Sequence, residues 1–233
     1  MTIQTLASDY LLHPAIGLTL RVTLLALFMQ LLVGLPLGLY LAGKKNLLKS
    51  VVELIVTLPM IFPPMALGFF LLLVLGKNGF VGRFILNIFE FKIIFTFWGV
   101  LIAVFVVGLP FMVKSVQAAR QQMNISLIEA AATLGKTRTQ TLFKVILPNI
   151  KNGVVTGLLL SFGRSVGEVG ISLMLGGNII GRTETLSLAI YNGVFEGEFF
   201  KAAIFSIILS AIAVVVLLAL NLLNKNKISD FSI

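Results

Sequence analysis

Four long runs without a charged residue constrain the fold of this chain more than any other feature. They cover residues 22–43, 54–76, 93–113 and 202–224, and a charged residue bounds each end of each run. A helix that crosses the hydrocarbon core of a bilayer needs about 20 apolar residues, so each run is long enough for one membrane span. Composition agrees, because 58% of the 233 residues are hydrophobic and 12% are charged, whereas a soluble domain is about a quarter charged. The sequence therefore predicts an all-α integral membrane protein.

A fifth span is predicted at residues 152–177, although two charged residues interrupt it. Arg164 and Glu168 are four residues apart, so on a helix they lie on one face and can form an ion pair. An odd number of spans places the two termini on opposite sides of the membrane. The predicted spans, in a single transmembrane domain of residues 1–233, are about 18–43, 52–76, 93–113, 152–177 and 201–224.

Basic residues are distributed unevenly between the two sides of these predicted spans. Eleven of the 18 Lys and Arg residues fall on one side and six on the other, with Arg164 inside a span. Because Lys and Arg collect in cytoplasmic loops, the richer side is predicted to be cytoplasmic. The N-terminus is then outside and the C-terminus inside. The net charge of +9 is accordingly interpreted as an orientation signal, and no nucleic-acid partner is expected.

Several kinds of chemistry are not supported by the residue content. The chain has no Cys and a single His, which excludes thiolate nucleophiles, disulfides and a His cluster for a metal. The sequence also lacks the Gly-x-x-x-x-Gly-Lys-Ser/Thr loop that binds nucleotide phosphates. We therefore expect no catalytic residue, no metal and no cofactor in this chain.

Prolines interrupt the second predicted span at Pro59, Pro63 and Pro64. Proline removes a backbone donor and kinks or breaks a helix. In a bilayer the freed carbonyl groups must be satisfied by neighbouring helices or by a water-filled cavity. The prolines therefore indicate either a kink that serves packing or a break that lines a path, and Pro63 and Pro64 are candidates for a path or gate.

The long basic segment of residues 114–151 is predicted to be cytoplasmic and to begin with a short helix. Ser126, with Glu129 three residues later, predicts a capping box. The three alanines from Ala130 onward favour a helix and leave a surface that another protein can approach closely. Gly135 is placed to end this helix in a left-handed conformation.

A second helix is predicted to follow directly in the same segment. Thr137 is a candidate N-cap for a helix from about Arg138 to Leu147, and Pro148 would begin the next element. The pattern of the whole segment is that of a helix-turn-helix hairpin on the cytoplasmic face.

The spacing within this hairpin resembles the EAA motif in the permease subunits of type I binding-protein-dependent ABC importers. The resemblance implies a MetI-like fold of about five transmembrane helices with a cytoplasmic coupling hairpin that docks on a separate ATPase subunit. It also implies a homodimer in the cytoplasmic (inner) membrane of a prokaryote. The implied partners are two ATPase copies, which hold ATP and Mg, and an extracytoplasmic binding protein. The residues that match the motif and are implied to couple the chain to the ATPase are Glu129, Ala130, Ala131, Gly135, Leu147 and Pro148, with Val145 in place of the usual Ile.

Residues 163–186 resemble the oxyanion branch of the same family, and the form Gly-Glu-Val-Gly followed by Gly-Gly-Asn is nearest to tungstate permeases. The resemblance implies tungstate as cargo, with molybdate second and sulfate or another anion as alternatives. Asn178 and Arg182 are then candidates for docking the binding protein or for an outer gate.

An ionisable residue inside a span indicates a functional site. Arg164 would attract a dianion, Glu168 would neutralise it between passages, and Ser165 lies on the same helix. The alternative is an ion pair that only fixes helix packing. A self-contained anion channel or secondary transporter is a second alternative, although secondary transporters usually contain internal repeats and we find none.

Overall fold

The structure, a computed structural model, describes residues 13–225, and every regular element within this range is helical. In chain order these elements are α1 (Pro14–Leu41), α2 (Leu47–Ile61), α3 (Pro64–Leu75), α4 (Phe80–Phe89), α5 (Phe97–Gln122), α6 (Ser126–Thr133), α7 (Arg138–Thr141), a π-helical turn (Leu142–Ile146), α8 (Leu147–Val166), α9 (Gly170–Gly176), α10 (Leu186–Phe195) and α11 (Phe199–Lys225).

Several of these helices are long and apolar enough to cross a membrane. In the described range four helices meet this condition, namely α1, α5, the continuous helix Arg138–Val166 and α11. The pair α3 and α4, which bends by 44°, is a fifth if it is counted as one span. The predicted all-α membrane architecture is thereby confirmed.

Helix α5 forms the centre of the bundle, between α1 and α8. Its backbone approaches α1 very closely, since a Cβ atom added to Gly38 would lie 2.7 Å from Cβ of Val116 and 2.8 Å from the carbonyl oxygen of Val113. A Cβ on Gly108 would in turn lie 2.2 Å from Nε2 of Gln30. Small residues at helix contacts are the usual way in which membrane helices gain packing energy.

The two ends of the bundle separate the two groups of loops. At one end Leu41 packs with Val56 and Val113, close to the loop before α2 and to the hairpin. At the other end the ring of His13 lies 4.9 Å from the ring of Phe205, next to α10. The basic segments 44–49 and 114–151 thus share one end, while the cellular side that each end faces remains a prediction.

The second predicted span differs from the structure. Residues 52–76 were predicted as one span, but α2 ends at Ile61 and α3 begins at Pro64. Pro63 and Pro64 have no N–H to donate, so they cannot continue the hydrogen-bond ladder of α2. The bent pair that is long enough for a span is α3 with α4.

Two further predicted spans have different bounds. The third, 93–113, is a helix that begins at Phe97 and continues past Lys114, beyond the apolar run, to Gln122. The fifth, 152–177, was predicted as one helix but is two. Helix α8 begins at Leu147, and residues 167–169 separate it from α9.

Substitution of Gly38 by Ala should separate α1 from α5, because the new Cβ meets both a side chain and a backbone carbonyl. We expect the free energy of unfolding to fall by about 1–3 kcal/mol. Gly17→Ala in the same helix is the matched control, since nothing lies within 4 Å of its Cβ position and Ala favours a helix. Thermal unfolding of both variants in detergent measures the difference, and equal midpoints would contradict the close contact.

Candidate functional site

The hairpin of α6 and α7 presents most of its motif residues on the surface. Glu129, Ala130 and Gly135 are exposed, whereas Ala131 is buried and holds α6 against the rest of the chain. Gly135 has the predicted left-handed backbone, with φ of +68°, which favours glycine because a side chain at this φ is strained. The N–H of Lys136 donates to the carbonyl of Ala131 at 3.0 Å and closes the turn.

The start of α6 differs from the prediction. Ser126 does not cap this helix but is its first residue, and its N–H donates to Oδ1 of Asn124 at 3.0 Å. The predicted box between Ser126 and Glu129 is therefore wrong. Asn124 lies two residues upstream and offers the same kind of side-chain acceptor.

The second arm of the hairpin starts as predicted but does not end where predicted. Thr137 and Gln140 form a reciprocal capping box, with distances of 3.3 Å and 3.1 Å. The helix then runs without a break from Arg138 to Val166, through the π-helical turn that ends just before Leu147 and Pro148. The wider turn lies where Pro148 removes a backbone donor. The arm is thus the first part of a continuous helix that includes α8, rather than a separate helix.

Two helix breaks lie side by side in the bundle, and we call them the paired breaks. One is at residues 62–63, between α2 and α3, and the other is at residues 167–169, between α8 and α9. A Cβ on Gly170 would lie 3.1 Å from Cβ of Pro64, so the two chain segments touch. The end of α8 lies at the level of the middle of α5, since Oγ of Ser161 donates to the carbonyl of Gly108 at 2.9 Å. The paired breaks are therefore near half the depth of the bundle.

The charged residues predicted inside a span meet at the second of these breaks. A guanidinium nitrogen of Arg164 lies 2.7 Å from Oε2 of Glu168. The Oε1 atom of Glu168 accepts from the N–H of Ile171, also at 2.7 Å, so this carboxylate caps α9 as well. The Glu168 side chain is 2% exposed and that of Arg164 is 31% exposed. The carboxylate is thus enclosed in the protein, while the arginine reaches the surface next to the exposed Gly163 and Gly167.

Ser165 lies on the packed side of α8 and not on this open side. Its hydroxyl donates to the carbonyl of Val104 at 3.1 Å and accepts from Nε2 of Gln30 at 3.2 Å. Ser165 is 2% exposed, so it positions α8 against α5 and does not face the surface of the chain that carries Arg164.

Gln30 is the residue of this region that the sequence analysis missed. Its amide nitrogen also donates to the carbonyl of Val104 at 3.0 Å, so that one side chain links α1, α5 and α8. The sequence signal for this residue is an amide side chain in the middle of an uncharged apolar run. A buried polar group in a membrane needs hydrogen-bond partners, so such an amide indicates a contact with another part of the protein.

The two candidates in the loop after α9 have different surroundings. Asn178 has a positive φ of 50° and donates to Oδ1 of Asn192 at 2.6 Å. Asn192 donates in turn to Oε1 of Glu184 at 2.7 Å, so Asn178 fastens the loop to α10. Arg182 is exposed. Both residues lie toward the end of the bundle opposite the hairpin, apart from Arg164.

Comparison with known proteins agrees with the geometry. Residues 34–228 match the family described as binding-protein-dependent transport system inner membrane component. The chain is 32% identical over 203 residues to the molybdenum transport system permease protein ModB of Haemophilus influenzae, covering 85% of this chain and 89% of that protein. It is 31% identical over 221 residues to the sulfate transport system permease protein CysT of Salmonella typhimurium, covering 93% and 79%.

Solved structures share the fold. A chain of a bacterial alginate ABC transporter, in complex with an alginate pentasaccharide-bound periplasmic protein, superposes with a TM-score of 0.72 at 21% identity. The match covers 91% of this chain and 77% of that chain. The predicted MetI-like arrangement of helices is thereby confirmed.

Removal of Arg164 and removal of Glu168 should lower the free energy of unfolding by unequal amounts. Arg164→Gln leaves the enclosed carboxylate of Glu168 without a counter-charge, so we expect a loss of about 3 kcal/mol in the free energy of unfolding. Glu168→Gln leaves an arginine whose head group reaches the surface, and its amide oxygen can still cap α9, so the loss should be smaller.

Circular dichroism recorded during unfolding in detergent measures the stability loss of each variant and so tests which loss is larger. Arg164→Lys serves as the control, because it retains the positive charge at the same position. A larger loss for Glu168→Gln than for Arg164→Gln would contradict the burial described above.

Proposed function

The chain belongs to the family of inner membrane components of binding-protein-dependent transport systems, and we propose that it is the permease subunit of an ABC importer for oxyanions. Two relatives named for molybdenum and for sulfate transport align over most of this chain, which supports this substrate class. The observation that carries the proposal is the partly exposed guanidinium of Arg164 beside the paired breaks, near half the depth of the bundle.

The paired breaks supply the physical basis for a path. Interrupted helices are tolerated at membrane depth only where the backbone is buried in protein or lines a cavity with water. Pro63, Pro64 and Gly167 at the breaks are exposed on the single chain. In this proposal they form one wall of the path, and Arg164 attracts the dianion. The bond to Glu168 keeps Arg164 partly neutralised, so that the anion is held weakly enough to leave.

A second copy of the chain completes the path. One chain exposes its breaks on one side, and a two-fold axis would bring the equivalent surface of another copy opposite. In the proposed complex the homodimer joins two ATPase subunits, which hold ATP and Mg, and an extracytoplasmic binding protein. The N-terminus is outside and the C-terminus inside.

The hairpin is the proposed site of coupling to the ATPase. Helix α6 follows α5 after only three residues, and α7 continues into α8 without a break. A displacement of the hairpin would therefore move both central helices directly. Because α8 carries Arg164 at its far end, such motion would reach the paired breaks.

Tungstate is the proposed cargo, with molybdate and then sulfate as the next candidates. The test is uptake of each anion by proteoliposomes that contain the chain, its ATPase and its binding protein. ATP-dependent uptake with tungstate preferred supports the full proposal, and preference for molybdate or sulfate overturns the cargo alone. Anion uptake by the chain without any ATPase supports a self-contained channel or secondary transporter instead.

Substitution of Gly135 by Val should uncouple the two activities of the complex. A branched side chain at a φ of +68° distorts the turn of the hairpin. We expect ATP-dependent anion uptake to fall by about tenfold or more, while ATP hydrolysis continues.

Gly197→Val is the matched control, since Gly197 also has a positive φ, of +78°, and nothing lies within 4 Å of its Cβ position. It lies between α10 and α11, at the other end of the bundle, and should retain uptake. Equal uptake by the two variants would contradict a specific role for the hairpin.

A further inference from the structure

A cavity of about 760 Å³ at the end of the bundle opposite the hairpin has three cationic side chains in its lining, and we call it the distal cavity. They are Lys77, Lys92 and Arg182, which come from three separate segments of the chain. Lys77 follows α3, Lys92 precedes α5, and Arg182 follows α9. None of the three belongs to the paired breaks or to the hairpin.

The charge of the distal cavity is one-sided. Among the described residues that line it there is no Asp or Glu, and all three cationic residues are exposed to solvent. Glu184 lines a neighbouring cavity of about 590 Å³ together with Arg21, and Arg182 lines both. Glu184 is buried and accepts a hydrogen bond from Asn192, and it does not line the distal cavity. Three like charges around one concave surface raise the local concentration of anions.

The backbone around the distal cavity is strained. The non-glycine residues with positive φ in the described chain are Glu90, Phe95 and Asn178, with φ of 51°, 63° and 50°. Phe95 lines the cavity, and each of the other two directly precedes a lining residue. Left-handed backbone at an aromatic residue is unusual, and such strain clusters at ligand sites and gates.

The strained residue Phe95 is also held by close contacts. The N–H of Phe95 donates to the carbonyl of Leu175 at 2.7 Å. Its ring covers Gly177 so closely that a Cβ there would lie 2.4 Å from Cδ1 of Phe95. The wall of the distal cavity at Phe95 is therefore held against α9 and the residue that follows it.

We propose that the distal cavity binds a tetrahedral oxyanion group through Lys77, Lys92 and Arg182. Ammonium and guanidinium groups form charge-assisted hydrogen bonds to such oxygens. Under the proposed function, on which this inference rests for the identity of the ligand, a free oxyanion released at this end of the bundle meets the cavity before it reaches Arg164. The phosphate of an anionic lipid has the same chemistry, and the apolar floor at Leu72 and Leu86 offers space for an acyl chain.

Direct binding to the full-length chain in nanodiscs tests the site without the ATPase or the binding protein. In nanodiscs of phosphatidylcholine alone, equilibrium dialysis with tungstate measures a free anion. In nanodiscs that also contain phosphatidylglycerol, native mass spectrometry measures retained lipid. The variant is Lys92→Gln with Arg182→Gln. The control is Arg83→Gln, on the adjacent α4, exposed but outside the lining.

We expect tungstate to bind the wild type and the control alike, and the double variant about tenfold more weakly. Higher ionic strength should weaken binding to the wild type, because exposed charges are screened. Retention of phosphatidylglycerol that the double variant loses, without tungstate binding, supports the same site with a lipid phosphate as its occupant. Equal behaviour of wild type and double variant toward both probes overturns the site. Absence of ATP-dependent uptake in proteoliposomes would instead overturn the proposed function, whatever the nanodiscs show.

Discussion

The ion pair between Arg164 and Glu168 allows a helix to stop halfway through the bundle. Inside a bilayer an interrupted helix leaves backbone groups that must find partners within the protein. Glu168 accepts from the N–H of Ile171 in α9 with one oxygen and from the Arg164 side chain with the other. On the other side of the break, the carbonyl of Val166 accepts from the hydroxyl of Ser187 at 2.7 Å. The contact between Gly170 and Pro64 places the second interruption against the first. On the side where Gly170 meets Pro64, neither break is open to lipid, because each chain segment covers part of the other.

The rest of the bundle supports this arrangement through α5. Its small residues allow α1 and α8 to approach its backbone, and Gln30 then reaches across α5 to Ser165. A hydrogen bond of this kind contributes only about 1 kcal/mol in membrane proteins, but it fixes the depth at which α8 lies along α5. Helices α5 and α8 both continue into the hairpin, and α8 carries Arg164 near its far end, so the two ends of the molecule are joined by rigid elements.

Prediction from the sequence was most complete where lipid alone determines the structure. Residues 22–41 and 202–224 are helical, because a long uncharged run in a bilayer satisfies its backbone groups by forming a helix. Gly135 and Thr137 were likewise predictable, since a left-handed turn and a helix cap each depend on one residue type. The break at Gly167 was not, because charged residues four apart are compatible with one continuous helix, and the cap that Glu168 gives α9 is visible only in the folded chain.

Other differences between the prediction and the structure have causes of their own. Asn124 and Ser126 are both good N-caps, and only the packed structure selects between them. Lys114 marks the end of an apolar run but not the end of a helix, since α5 simply continues past the bilayer and pairs Lys114 with Glu53. The roles of Gln30 and Ser165 depend on a contact across three helices, which no window of a single sequence contains.

The interruption between α8 and α9 also separates the registers of the two helices. In a continuous helix such as α5, one inserted residue turns everything beyond it by about 100° and moves every buried side chain off its face. The three residues 167–169 are not helical, so α8 and α9 keep separate registers, and Glu168 within this connection ties them together. A change in the register of α9 therefore does not have to turn α8, provided that Glu168 still reaches both Arg164 and the N–H of Ile171.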